Sequence, residues 1–193
     1  MKPKVAKKYL GLFIQSSTQR VLEALFRYPE QEFSLSDLAK EARVAKPHIG
    51  KILAELERLE FITITKLSKI WRIKANQRNE KFIQSKMVYN LNFIHQSGLV
   101  EFLTEHFGNP KAIVLFGSFR KGEDFSASDI DIAIEADETE EYRTIRLELL
   151  IDFERVTGRK IQIHIFNRKK VNRHVFNNIA NGIVLAGFLE VKP

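Results

Sequence analysis

Apolar residues in the first 60 positions recur at intervals of three and four, the spacing of one face of an α-helix. The spacing predicts a helix over 18–28, a second helix that starts at the capping signal Ser34-x-x-Asp37, and a third that opens near Pro47. Two β-rich runs follow, over 61–65 and 70–74, and predict a hairpin. The first third of the chain is therefore expected to form three helices and a hairpin.

The pattern changes in the second half of the chain. Two helices are predicted over 79–96 and 99–107, the second ended by Gly108. Short apolar runs then alternate with polar loops, at 112–116, 130–134, around 161–166 and at 182–185. Runs of this length between turn signals are typical of buried strands. The predicted fold class is α+β, with a mixed sheet flanked by helices in the C-terminal part.

Helix, helix, turn, helix and hairpin in about sixty residues resembles the winged helix-turn-helix DNA-binding domain, and the apolar positions over 38–62 fall where that family buries them. The resemblance implies that the N-terminal end of the third helix enters the major groove, while the hairpin contacts backbone phosphates or the minor groove. The residues expected to contact DNA are Lys46, Pro47, His48, Lys51, Lys66, Lys69 and Arg72.

The charge distribution supports an anionic partner for this module. The 193 residues carry a net charge of +7, and residues 1–77 hold all of it, with 15 Lys and Arg against 8 Asp and Glu. The rest of the chain is neutral overall. Double-stranded DNA is the expected partner. The alternative is a small helical domain whose solvated basic face serves protein contacts.

Composition excludes several classes of protein. The chain has no cysteine, which excludes a disulfide scaffold, thiolate-bound zinc, iron–sulfur clusters and a cysteine nucleophile. The longest apolar runs, 112–116 and 183–189, are far shorter than the ~20 residues that span a bilayer. A protein without membrane helices in the reducing cytoplasm is expected.

Two motifs in the second half carry candidate chemistry. Gly117 and Ser118 follow a buried strand directly, where backbone N–H groups and a hydroxyl suit a phosphate. Asp129 and Asp131 lie two residues apart on the next strand, so their side chains point the same way with Cα atoms ~6.6 Å apart. Such a pair can hold Mg²⁺ that carries a nucleoside triphosphate. The alternative places Asp129 in a turn and Asp131 at a solvated strand position.

The pattern Gly-Ser, ten residues, Asp-x-Asp resembles the signature of the nucleotidyltransferase superfamily that includes DNA polymerase beta. Within that superfamily it most resembles the minimal nucleotidyltransferases of prokaryotes. The resemblance implies that Gly117 and Ser118 bind nucleotide phosphates and that Asp129 and Asp131 coordinate Mg²⁺. It further implies transfer of a nucleotidyl group from a nucleoside triphosphate to a hydroxyl acceptor. Relatives of the minimal enzymes often act with a small helical partner protein.

The family's third carboxylate is expected on the following strand, where this sequence has Gln162. An amide cannot accept a proton, and loss of a general base typically costs ~10²–10⁴ in rate while binding can survive. His164 is either a substitute base or an ordinary exposed strand histidine, whereas Glu135 and Asp124 offer no convincing replacement. Arg120 and Lys121 are either triphosphate contacts or solvated loop charges.

These observations leave three functional hypotheses open. The first is a DNA-binding transcriptional regulator that also transfers a nucleotidyl group, and the second is a regulator that only senses a nucleotide or presents an interaction platform. The third is a purely structural adaptor. The expected boundaries are 1–77 for the winged helix domain, 78–107 for a helical connector and 108–193 for the nucleotidyltransferase-like domain. A homodimer through the connector is a further hypothesis.

Overall fold

The computed structural model describes residues 16–67 and 70–191. Three helices open the described chain: α1 (Ser17–Arg27), α2 (Leu35–Glu41) and α3 (Lys46–Arg58). The Ser34 side chain accepts a hydrogen bond from the backbone N–H of Asp37, as its capping signal predicts. Helix α3 has Pro47 in its first turn, where the missing N–H has no intrahelical partner to lose.

A three-stranded antiparallel sheet completes the first module. Its strands are β1 (Glu32–Phe33), β2 (Ile62–Leu67) and β3 (Ile70–Ala75), in the order β1-β3-β2. The predicted hairpin is confirmed, and the short β1 adds an edge strand that the sequence pattern did not predict. Three helices packed on a hairpin with this connectivity form a winged helix, and the predicted α+β fold class is confirmed.

Two helices lead out of the winged helix, α4 (Glu80–Gln96) and α5 (Leu99–His106). Helix α4 serves two hydrophobic cores. Near its start Phe82 is buried against the rings of Phe26 and Phe61, in the core of the winged helix. Near its end Phe93 and Ile94 are buried in the core of the second sheet. The predicted connector helices are present, and the longer one packs into both halves of the protein.

The second module is a five-stranded mixed sheet with the strand order β6-β7-β5-β4-β8. Strands β5 and β7 are parallel, and the other neighbours are antiparallel. The remaining elements, in chain order, are β4 (Ala112–Phe116), α6 (Gly117–Lys121), β5 (Ile130–Glu135), β6 (Arg143–Ile145), a 3₁₀ turn (Glu148–Leu150), α7 (Ile151–Thr157), β7 (Ile161–Phe166), α8 (Arg173–Ala180) and β8 (Ile183–Gly187).

The two faces of this sheet have different environments. One face carries the inward positions of the central strands, such as Ile132 and Ile163, and packs against α4, α5 and α7. On the opposite face Ala133 and Phe166 pack with Ile179 of α8. Since side chains two residues apart share a face, Asp131 in β5 and Asp129 just before the strand lie on this second face. Helix α8 covers one end of this face. At the other end, the side chains of Asp129 and Asp131 are 26% and 25% exposed.

A buried ionic junction connects the two modules. The Asp124 carboxylate lies 3.0 Å from Lys86 Nζ of α4 and 3.1 Å from Arg159 Nη2, and all three side chains are buried. The same Arg159 nitrogen donates to the backbone oxygen of Arg27, at the end of α1. The winged helix, the connector and the second sheet thus meet at one carboxylate.

Candidate active site

Three chain segments bring the candidate residues to one edge of the sheet. In the antiparallel pair β4–β5, Phe116 lies opposite Asp131, so Gly117 follows directly beside that aspartate. In the parallel pair β5–β7, Asp131 lies opposite Gln162. The end of β4, the start of β5 and the start of β7 therefore meet. The Gly-Ser and Asp-x-Asp motifs, predicted to form one site, are adjacent.

Gly117 is required by the close approach of Asp131. Its φ is +77°, a left-handed backbone conformation that residues other than glycine rarely adopt. A Cβ built at this position would lie well inside 3.0 Å from Asp131 Oδ2. The aspartate therefore packs directly on the glycine backbone. Ser118 follows in the first turn of α6 and is half-buried.

The Asp129 carboxylate is held by two donors through a single oxygen. The Gln162 amide nitrogen donates to Oδ2, and Arg146 Nη2 lies 3.5 Å from the same oxygen. Within the described residues, Oδ1 of Asp129 has no hydrogen-bond partner. Gln162 thus takes the place expected for a third carboxylate, and it acts there as a hydrogen-bond donor.

His164 contacts the second aspartate. Its Nε2 lies 3.0 Å from Asp131 Oδ1, and its Nδ1 lies 2.5 Å from the Tyr142 hydroxyl and 3.3 Å from Thr144 Oγ1. The imidazole is buried, with the Phe116 ring packed edge-on against it at 4.9 Å. The expectation of an exposed strand histidine is therefore wrong. Since a carboxylate only accepts, the hydrogen on the imidazole is assigned to Nε2, which leaves Nδ1 to accept.

Sequence reasoning missed the three residues that β6 brings to the site. Tyr142 precedes this strand, Thr144 lies within it and Arg146 follows it. Strand β6 is an edge strand of three residues without an apolar alternation, so the pattern gives no strand signal there. The polar residue at every second position, Tyr142, Thr144 and Arg146, is the sequence feature that places all three on one face.

The other acidic candidates have structural partners. Asp124 is buried between Lys86 and Arg159, and neither partner is a residue of the site. Glu135 is buried at the far end of β5, with Arg168 Nε 3.5 Å from its carboxylate. Burial raises the pKa of Glu135, although Arg168 and Lys111 oppose this effect. Neither carboxylate replaces the one that Gln162 lacks.

The two cations expected in the loop after Ser118 lie in α6 instead, and both have partners. Arg120 donates a hydrogen bond to the backbone oxygen of Asn181, and Lys121 lies 3.9 Å from Glu123. Both cations therefore contact groups of the protein itself.

The donor set fits a magnesium ion that is shared with a phosphate ligand. No group of three or more His, Cys, Asp or Glu side chains arranged for a metal ion occurs over 16–67 and 70–191. Mg²⁺, however, is commonly held by one or two carboxylates together with substrate phosphates and water. Asp129 offers its unpaired Oδ1, and Asp131 presents Oδ2 beside the Gly117 backbone. Among the described residues, one oxygen of each carboxylate has no hydrogen-bond partner, and this matches the mode of binding.

Four of the residues predicted to contact DNA lie at the N-terminal end of α3, on the surface of the winged helix. Lys46, Pro47, His48 and Lys51 are all exposed at the N-terminal end of α3, because Ile49 and Leu53 take the buried positions between and after them. The two ammonium groups and the imidazole are therefore exposed at the N-terminal end of α3. This is the end that a helix bound in a DNA groove would present to the bases.

The hairpin cations have local partners. Lys66 Nζ lies 4.7 Å from the centre of the Trp71 ring, and Arg72 lies 3.8 Å from the Glu32 carboxylate of β1. Both side chains belong to exposed residues. Lys69 lies outside the described residues.

Comparison with known families agrees with the geometry of the second module. Residues 98–187 match the family described as polymerase beta, nucleotidyltransferase. This part of the chain is a nucleotidyltransferase domain of that family. The match includes α5, the whole of the Gly-Ser and Asp-x-Asp site, and the sheet through β8. No curated protein matches the sequence of the chain.

Solved structures similar to the chain include two transcription regulators. Transcriptional regulator PA4135 is 20% identical with a TM-score of 0.35, and the match covers 50% of this chain and 66% of that one, slightly less than two thirds. MepR, a transcription regulator of the Staphylococcus aureus multidrug efflux pump MepA, is 18% identical with a TM-score of 0.38, over 53% of this chain and 75% of that one. The winged helix assignment rests on the arrangement of helices and strands within this chain.

Over 16–67 and 70–191, none of the helices combines the length and the apolar character that a membrane crossing requires.

Proposed function

We propose that this protein is a DNA-binding transcriptional regulator whose nucleotidyltransferase domain binds a Mg²⁺–nucleoside triphosphate and transfers its nucleotidyl group to a hydroxyl acceptor. One observation carries the proposal: Asp129 and Asp131 converge with Gly117 and Ser118 at one edge of the sheet, within the part of the chain that matches the nucleotidyltransferase family. A protein that binds DNA and a nucleoside triphosphate would act in the cytoplasm, so the proposal includes a cytoplasmic location.

The parts of the site have separate roles in this proposal. Gly117 lets the backbone approach the triphosphate and Ser118 offers its hydroxyl, while Asp129 and Asp131 hold the cation through their uncommitted oxygens. When bound, Mg²⁺ would neutralise charge on the phosphates. Arg146, which now lies beside Asp129, has an exposed guanidinium that suits a phosphate oxygen.

Gln162 favours a second candidate function. Its amide donates to Asp129 where a third carboxylate would accept a proton or share the cation. A site built in this way binds a nucleotide and transfers it slowly or not at all. The protein would then sense a nucleotide and report its presence to the DNA-binding module.

Labelled nucleotides separate the two candidates. The full chain is incubated with Mg²⁺ and ATP, GTP, CTP or UTP labelled on the α-phosphate, first alone and then with candidate protein acceptors, including any small helical partner. Covalent label is the result expected for a transferase. Metal-dependent binding without covalent label under every condition supports the sensor.

Two variants make this experiment specific to the proposed site. The double substitution Asp129→Asn with Asp131→Asn should abolish binding and label, because the carboxylate oxygens for the cation are lost. Asp152→Asn, at an exposed position of α7, removes a carboxylate elsewhere and should leave both unchanged. If neither the wild-type protein nor the Asp152→Asn variant binds a nucleotide with Mg²⁺, the proposed function is wrong.

The regulatory half of the proposal rests on the basic surface of the winged helix. The net charge of +7 lies in residues 1–77, and Lys46 and Lys51 are exposed at the end of α3 that this fold inserts into the major groove. A homodimer would place two such helices on one duplex, as half-site spacing requires. DNA binding and dimerisation can each be measured on the full chain.

A further inference from the structure

Tyr142 combines an accessible ring with a hydroxyl that is held from inside the site. The residue is 39% exposed, yet its hydroxyl lies 2.5 Å from Nδ1 of buried His164. The tyrosine ring stacks on the imidazole, with centroids 5.9 Å apart and an interplanar angle of 25°. Its position is thus fixed at the edge of the nucleotide site.

The three side chains Asp131, His164 and Tyr142 form a continuous hydrogen-bonded chain. Asp131 Oδ1 fixes the imidazole through Nε2, at 3.0 Å, and Nδ1 then accepts from the hydroxyl. A hydroxyl within reach of a base that a third group orients is the signature of an activated nucleophile. Here the orienting carboxylate belongs to the Asp-x-Asp motif, so the hydroxyl lies one imidazole ring away from the proposed metal and triphosphate site.

We propose that Tyr142 is the hydroxyl acceptor of the transfer, so that the protein nucleotidylates itself. This inference rests on the proposed function, because it requires a bound nucleoside triphosphate. The Tyr142 oxygen forms a bond to the α-phosphorus, and the bond from that phosphorus to the bridging oxygen of pyrophosphate breaks. The phenolic proton moves to His164 Nδ1, pyrophosphate leaves, and a phosphodiester joins the tyrosine to the nucleoside.

The position of the other tyrosines makes the assignment specific. Tyr28 and Tyr89 pack with the winged helix core, and Tyr9 lies outside the described residues. Within the described residues, Tyr142 is therefore the tyrosine whose hydroxyl reaches the Asp-x-Asp site. The product would occupy the site that formed it, so the modification should stop at one nucleotide per chain.

Intact mass and peptide mapping test the inference on the full chain. After incubation with Mg²⁺ and each of the four nucleoside triphosphates, the mass should rise by one nucleoside monophosphate residue, located at Tyr142. Tyr142→Phe should lose the increment and still bind the Mg²⁺–nucleotide as wild type does, since the ring and its stacking remain. Tyr28→Phe, a matched substitution in the other module, should retain the full increment.

A second measurement needs no nucleotide. In ¹⁵N NMR spectra of the free protein, His164 should show the tautomer protonated at Nε2, and Tyr142→Phe should shift its Nδ1 signal through loss of the hydrogen bond. An unchanged Nδ1 signal would overturn the activating contact.

The outcomes distinguish this inference from the function on which it depends. Binding of the Mg²⁺–nucleotide without an increment at Tyr142, or with an increment at another residue, overturns the inference and leaves nucleotide binding intact. Failure of the wild-type protein to bind any Mg²⁺–nucleotide overturns both.

Discussion

Lys86 and Asp124 form an ion pair of 3.0 Å in which each side chain is only 1% exposed. Arg159 shares the same carboxylate, so one buried negative charge faces two buried cations. Burial lowers the pKa of Lys86, and the charge of Asp124 counteracts that effect. The stability of the junction between the modules therefore depends on Asp124.

Asp124→Asn should be strongly destabilising. The amide keeps the shape of the side chain, but it leaves Lys86 and Arg159 buried without a counter-charge. Loss of one member of a buried ion pair costs about 3–5 kcal/mol. Urea denaturation measures the change in the free energy of unfolding. Glu123→Gln is the control, because its exposed pair with Lys121 is worth at most about 1 kcal/mol. Equal effects of the two variants would contradict the role assigned to Asp124.

Gly117→Ala should remove nucleotide binding. The methyl group would collide with Asp131 Oδ2 and displace the carboxylate proposed to hold the cation. Affinity for the Mg²⁺–nucleotide should fall about tenfold or more, equivalent to about 1.4 kcal/mol, as measured by calorimetry. Gly158→Ala controls for backbone strain, since Gly158 has a φ of +69° and a methyl group added there would meet no atom within 4 Å. That variant should lose about 1–2 kcal/mol of stability and keep its affinity.

Gln162→Glu should make the stability of the protein respond to magnesium. A third carboxylate beside Asp129 replaces a hydrogen bond by charge repulsion, so the melting temperature without metal should fall below that of wild type. Mg²⁺ should raise it by more than in wild type, because the added oxygens bind the cation. Gln77→Glu, at a glutamine that bonds the Pro29 backbone, is the control without a metal response. Identical magnesium responses in all three proteins would exclude a cation beside residue 162.

Acid should weaken the contact between Glu30 and Ser126, which joins the winged helix to the loop of the second module. Burial opposes ionisation of Glu30, but hydrogen bonds from the Ser126 hydroxyl and N–H outweigh it, so the pKa of Glu30 lies below its ordinary value of 4.5. The stabilisation is complete above pH 4.5 and is lost as the pH falls through the lower pKa of the folded protein. Ser126→Ala should raise the pKa of Glu30 toward 4.5 in an NMR titration, and Ser128→Ala should not.

Binding to DNA should depend on salt and on the exposed end of α3. Replacing Lys46 and Lys51 together by alanine should weaken binding and reduce the slope of log K against log salt by about 2, since each lost phosphate contact removes about 0.9. Fluorescence anisotropy at several salt concentrations gives the slope. Lys160→Ala with Lys170→Ala removes the same charge from the second module and should leave the slope unchanged. Equal losses in both double variants would indicate attraction by net charge alone.

The sequence predicts the helices and the central strands well because their apolar spacing and caps are local. Ser34 and the helix over 79–96 are examples, since the signals that start and stop them lie within a few residues. Asp124 shows where local reasoning ends. Its sequence context indicates a loop carboxylate, and its burial depends on Lys86 and Arg159, which lie 38 and 35 positions away.

His164 shows a second limit of the sequence. Asp131 lies opposite Gln162 in the strand register, and the strand spacing alone predicts that a residue two positions further along is too far from the aspartates. In the structure each aspartate contacts the side chain diagonally ahead of its register partner: Asp131 bonds His164, and Asp129, two positions earlier, bonds Gln162. Side chains that lean along a strand reach such diagonal neighbours, and only the folded register shows which pairs meet.

Helix α4 limits how the two modules can be separated or exchanged during evolution, because it contributes to both cores. A winged helix separated before α4 would lose Phe82 and expose the rings of Phe26 and Phe61, while a second module separated after it would lose Phe93 and Ile94. Exposed apolar surface of this kind favours aggregation. Recombination that exchanges either module for another must therefore carry the whole helix with it or supply a substitute for both of its faces. The helix, more than either module, constrains how such a fusion evolves.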